Sequence, residues 1–88
     1  MRISVFEDDP GYLPLLAKIA GHRCVVTVDG VEQTHVQTAD EEEGFVDRNV
    51  LENPDDPNSF KVDYDKHVFV LERVHGVVKI MFTKEAAQ

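Results

Sequence analysis

Three stretches of alternating apolar residues are each cut by a short glycine-bearing turn, at Asp29-Gly30, at residues 40–44 and at His75-Gly76. A turn that tight reverses the chain, so the flanking runs are expected to pair as antiparallel strands. The first hairpin covers residues 23–36. Centring it on Asp29-Gly30 sets Val28 opposite Val31, Val26 opposite Gln33 and Cys24 opposite His35. The second covers residues 34–51, with Asp-Glu-Glu-Glu-Gly as its loop and Gly44 in the left-handed position that closes a type I turn with a bulge. The third covers residues 67–83. A turn at His75-Gly76 pairs Phe69 with Phe82, Leu71 with Ile80 and Arg73 with Val78 on one face. Val70–Met81, Glu72–Lys79 and Val74–Val77 then share the other, a register that a one-residue slip would spoil.

The remaining segments fill in around these ribbons. Residues 2–6 alternate and predict a short strand. Tyr12, Leu15, Leu16 and Ile19 recur at helical spacing, with Asp9 or a neighbour as the candidate cap, Pro14 in the first turn and Gly21 as a stop. So short a helix needs a sheet under its apolar stripe. Residues 52–59 hold two prolines and no large apolar residue, which predicts a flexible loop. Residues 60–64 alternate as a further strand, and residues 84–88 read as a frayed tail. The expected fold is α+β and mostly β, with about six strands. It is an antiparallel hairpin meander forming a small sandwich or partly open barrel, with one short N-terminal helix. At 88 residues one domain is expected, hiding only about 60–65% of the surface its unfolded form exposes.

Charge narrows the partners. Ten of the 17 acids fall in residues 40–65 beside two bases, while the rest of the chain balances, for a net charge of −8. Direct nucleic-acid binding needs clustered Lys and Arg and is not expected. Asp40, Glu41, Glu42, Glu43, Asp55 and Asp56 form a candidate acidic patch. Neither acidic stretch follows the spacing of a calcium-binding loop, so solvated acid is the expectation. No apolar run approaches the ~20 residues of a membrane helix, and the N-terminus lacks the apolar core of a secretory signal.

Catalytic signatures are missing from the sequence. Phosphate-loop and nucleophile-elbow patterns do not occur. His22, His35, His67 and His75 are scattered around one cysteine, which does not make a zinc site. Cys24 excludes an internal disulfide and fits a reducing compartment. Set beside His35 it resembles a thiol–imidazole pair, but no orienting carboxylate or oxyanion hole accompanies it. No enzyme, cofactor or metal is therefore expected. The apolar residues Val68, Val70, Val74, Val77 and Met81, on the second face of the third hairpin, are the candidate interaction face. They pack under the helix or meet a partner protein or a second copy of the chain.

Val28-Asp29-Gly30-Val31, the run Thr38-Ala39-Asp40-Glu41-Glu42-Glu43-Gly44-Phe45-Val46-Asp47-Arg48, and Glu72-Arg73-Val74-His75-Gly76-Val77-Val78-Lys79-Ile80 follow one another in this order. Over roughly residues 25–82 the chain resembles small uncharacterised proteins of tailed bacteriophages and prophages, in which these turns recur. The resemblance implies a phage or prophage setting, in the bacterial cytoplasm or the virion, and carries over no functional residues. The leading expectation is a non-enzymatic virion-associated or assembly component acting by protein contact. The alternative is an acidic host-directed inhibitor that imitates nucleic acid at a basic protein site.

Overall fold

The computed structural model describes residues 1–84. Among them are nine strands and one helix: β1 (Arg2–Ser4), α1 (Tyr12–Ile19), β2 (His22–Val28), β3 (Val31–Gln33), β4 (Val36–Asp40), β5 (Phe45–Asn49), β6 (Val62–Asp63), β7 (Val68–Phe69), β8 (Leu71–His75) and β9 (Val78–Lys84). The first sheet runs β1-β4-β5-β8, the second β3-β2-β9, and β6-β7 is a separate two-stranded ribbon. Every pairing is antiparallel and the sheets do not close into a barrel. The fold is α+β, mostly β, with one short helix near the N-terminus.

Two turns form where the sequence places them. Asp29 and Gly30 both adopt positive φ, 50° and 82°, which a two-residue turn of this hand requires and glycine allows at little cost. Val28 faces Val31 and Val26 faces Gln33. The pairing stops there, because His35 turns to φ 58°; Cys24 lies opposite Phe82 of β9 and not opposite His35. The β4–β5 hairpin pairs Asp40 with Phe45. Gly44, at φ 72°, donates its N–H to the Asp40 carbonyl at 3.0 Å.

The third hairpin does not exist. β8 pairs with β5, setting Phe45 opposite His75 and Val46 opposite Val74. β9 pairs with β2, setting Val28, Val26 and Cys24 opposite Val78, Ile80 and Phe82. His75-Gly76 is a corner between sheets. His75 lacks the positive φ that a tight reversal needs, and Gly76 is nearly extended at φ 158°. The corner is fixed by distant partners: Gly76 N–H donates to Gly44 O at 3.1 Å and Asp29 N–H to Val77 O at 2.9 Å, and Val77 N–H donates to Asp29 Oδ1 at 2.8 Å. A Cβ on Gly76 would stand 2.6 Å from Val28 Cγ1, so any other residue would force the Val28 or Asp29 side chain to shift. Glu72 does not meet Lys79; its carboxylate lies 3.1 Å from Arg48 Nε across the β5–β8 pair.

The core lies between the two sheets. Ile3, Ala39 and Val46 of the first face Val26, Val28 and Val78 of the second, with Leu15, Val74, Ile80 and Phe82 around them. The Ser4 and Thr38 hydroxyls are buried with them and bond each other at 2.9 Å, which offsets the cost of desolvating both. Helix α1 rests on β1 and β2. Leu15 turns to the core while Leu16 stays exposed. Asp9 does not cap the helix: the N-cap is Gly11, without a side-chain bond. The 52–59 loop is tied by Ser59, whose Oγ donates to the carbonyls of Asn53 and Asp56 at 2.9 and 2.7 Å. Of the tail expected over 84–88, Lys84 ends β9, and residues 85–88 lie outside the described residues.

Candidate functional site

A groove of about 630 Å³ opens on the flank of the first sheet, between Phe6, Phe60, Val68, Phe69 and Leu71, with Gln37, Asn49 and His67 completing its lining. Its walls come from three segments. Phe6 follows β1 and is 43% exposed. The chain bends there, with Phe6 N–H donating to Ser4 Oγ at 3.1 Å and Val5 N–H to Gln37 O at 2.9 Å; this bend ends the strand expected over 2–6 after Ser4. Phe60 bridges to Leu51, and Lys61 N–H donates to Val50 O at 2.8 Å. Phe69 pairs with Val62 in the ribbon and is 58% exposed. The Phe60 and Phe69 rings meet edge to face with centroids 5.8 Å apart, and His35 meets Phe60 in the same way at 5.4 Å.

Polar groups sit on the floor. Gln37 Nε2 donates to Asn49 Oδ1, and Asn49 N–H donates to His35 O at 3.0 Å. Asn49 is only 5% exposed. This pair joins β4 to β5 at the foot of the groove.

The wall carrying Phe6 is held by an arginine clasp. Arg2 Nε and Nη2 donate to the two oxygens of Asp9 at 2.8 and 2.7 Å, and Arg2 Nη1 donates to Asp40 Oδ2 at 3.1 Å. The guanidinium bond, aided by Gly11 N–H, holds the Asp9 carboxyl at about 2 against the desolvation that opposes it. Asp40 is also lowered, first by the Glu43 N–H and then by Arg2, again against its desolvation. Two-pronged charge-assisted bonds of this kind fix geometry as well as add energy.

The residues singled out from the sequence do not gather at one place. Val68 lines the groove. Val70 is half-buried between β7 and β8, and Val74 faces Val46 and packs on the core. Val77 is exposed at the corner, and Met81 lies opposite Val25 on the other sheet. The expected interaction face depended on the third hairpin and is lost with it.

The acidic patch is divided as well. Asp40 is buried and accepts the N–H groups of Glu42 and Glu43, both at 2.9 Å. Glu41 accepts Ile80 N–H at 3.0 Å and lies 3.2 Å from the N-terminal ammonium, with Glu42 at 3.9 Å; Glu43 is exposed. Asp55 and Asp56 belong to the loop after the far end of β5, where Asp56 Oδ1 accepts Asn58 N–H at 3.0 Å. Among the described residues no group of three or more His, Cys, Asp and Glu is placed to hold a metal, and no helix is long and apolar enough to cross a membrane.

A second cavity of about 390 Å³ lies under α1, lined by Ile3, Leu15, Ile19, Cys24, Val26 and Val36, with His35 and Gln37 among its polar groups. Cys24 and His35 thus share a cavity without being cross-strand neighbours. Burial pushes the Cys24 thiol up from its ordinary value, which works against a thiolate nucleophile.

Sequence reasoning missed Phe6, Gln37, Asn49, Phe60, Phe69 and Leu71 as one site. The one local signal was the run of large apolar residues after the proline-bearing loop, Phe60, Val68, Phe69 and Leu71. The chain matches no protein-family model, no curated protein and no solved structure.

Proposed function

We propose that the protein is a non-enzymatic contact module that holds part of a partner protein in the groove between Phe6, Phe60 and Phe69. The observation that carries this reading is the grouping of five exposed large apolar residues, Phe6, Phe60, Val68, Phe69 and Leu71, around one opening. Apolar side chains scattered singly over a surface need no explanation, but a contiguous patch around a concave site favours an occupant. Aromatic side chains, Phe among them, bury large areas and are enriched at the cores of protein interfaces. The phage or prophage setting implied by the resemblance gives such a module a place as a virion-associated or assembly component.

The alternative of an acidic mimic of nucleic acid has less support. Asp40, Glu41 and Asp47 are bonded within the protein, and the two acidic clusters sit at opposite ends of β5 instead of forming a continuous row.

The test is capture from bacterial lysate by the immobilised wild type and by the Phe60→Ser/Phe69→Ser variant, at low and high salt. The expected result is a protein retained by the wild type at both salt concentrations and lost by the variant. Identical captured sets would overturn the reading, and capture that collapses with salt would return the acidic mimic to first place. If the captured protein is the chain itself, light scattering will show a wild-type oligomer that the variant does not form.

A further inference from the structure

The floor of the groove says more about its occupant than the walls do. Asn49 is 5% exposed, and its Oδ1 is taken by Gln37 Nε2. No hydrogen bond within the described residues uses Asn49 Nδ2 or Gln37 Oε1. Neither atom is among the buried polar atoms left without a partner, so neither is sealed from solvent; Asn49 lines the groove, and Gln37 lines both the groove and the cavity under α1. One unused donor and one unused acceptor therefore belong to two hydrogen-bonded residues that line the groove together with the apolar side chains. A residue in an extended chain presents the complementary pair, because its own N–H and C=O point to the same side of the strand. Its neighbours' side chains then alternate between the two faces of that strand, where apolar ones meet the phenylalanine walls.

We infer that the groove takes an extended peptide segment with apolar side chains at alternate positions, one residue of which donates its N–H to Gln37 Oε1 and accepts from Asn49 Nδ2 through its C=O. The inference rests on the groove being a contact site and adds the chemistry of what enters it. The net charge of −8 repels acidic flanks, so the segment is neutral or basic outside its apolar positions.

The probes are capped heptapeptides with lysine at both ends and leucine, valine or phenylalanine at the second, fourth and sixth positions, titrated against the full chain. Each backbone nitrogen is methylated in turn. Methylation at one residue should weaken binding about tenfold, the loss of one hydrogen bond to a desolvated acceptor, and methylation at the flanking residues should weaken it much less. Asn49→Ala should cost a similar factor and make the protein blind to changes in the matching carbonyl. Glutamate in place of the terminal lysines should weaken binding, with a gap that narrows as salt rises.

Peptides that bind equally well with any nitrogen methylated would overturn the amide clamp, and so would the absence of binding by every peptide. The methylation series needs no altered protein, so a poorly folding Asn49→Ala leaves the test intact. Failure here is distinct from failure of the contact reading. If the lysate partner is still lost with Phe60→Ser/Phe69→Ser while no peptide binds, the groove is a contact site whose occupant is not an extended segment.

Discussion

Val46 and Phe69 are both apolar strand residues, yet Val46 has no surface open to solvent while more than half of Phe69 is exposed. The difference lies in what stands opposite each. Val46 faces the second sheet, which supplies Val26, Val28 and Val78 as neighbours. The ribbon of β6 and β7 has Phe60 and Phe6 beside it around an open groove. Burying a side chain of this size is worth about 1.5–3 kcal/mol. The sandwich gains it on folding, whereas the flank gains it only when something occupies the groove. One region holds the fold together, and the other leaves its apolar surface exposed.

Substitutions should separate the two regions. Val46→Ala removes buried methyl groups from a site closed on both sides and should lower unfolding free energy by about 2–3 kcal/mol, read from urea melts. Gly76→Ala attacks the corner that keeps β8 and β9 apart. Its Cβ meets Val28 Cγ1 at 2.6 Å and Asp29 Oδ2 at 2.7 Å, and about 2 kcal/mol should be lost in the same assay.

Asp9→Asn acts between the regions, on the clasp that ties the Phe6 wall to the sandwich, and should cost about 1 kcal/mol at neutral pH. Its pH dependence is specific. The folded carboxyl titrates at about 2, below its unfolded value of about 4. Its contribution is therefore complete above about pH 4 and fades as the pH falls toward 2. The wild type and Asp9→Asn should converge over that window. Phe69→Ala should change stability least, by about 0.5 kcal/mol, because the ring it removes is mostly in water. A loss as large as that of Val46→Ala would mean that the flank belongs to the core.

The turns show how much of the fold was legible in the sequence. Asp29-Gly30 and residues 40–44 carry their own instructions: local backbone conformations suited to Asp and Gly, and partners within a few residues. His75-Gly76 carries a similar glycine dipeptide but obeys Gly44, Asp29 and Val28, which are far away in the chain. The cross-strand argument for the third hairpin was chemically sound and still selected the wrong partners. Glu72 finds Arg48 Nε at 3.1 Å in place of Lys79, and β9 pairs along the whole of β2 in place of β8. The groove was harder to read for the same reason. Phe6, Phe60 and Phe69 come from segments that share no local pattern, and Gln37 and Asn49 carry no motif. The acidic turn was visible, but not that the buried Asp40 also accepts a hydrogen bond from Arg2, 38 residues away.

The separation of β8 from β9 is what leaves the aromatic ribbon on an open flank, and nuclear Overhauser contacts test it directly. The account expects contacts between the Phe60 and Phe69 rings, and backbone contacts of Ile80 with Val26 and of Val74 with Val46. A cross-strand contact between Phe69 and Phe82, with Leu71 opposite Ile80, would join β8 to β9 in one hairpin and contradict it.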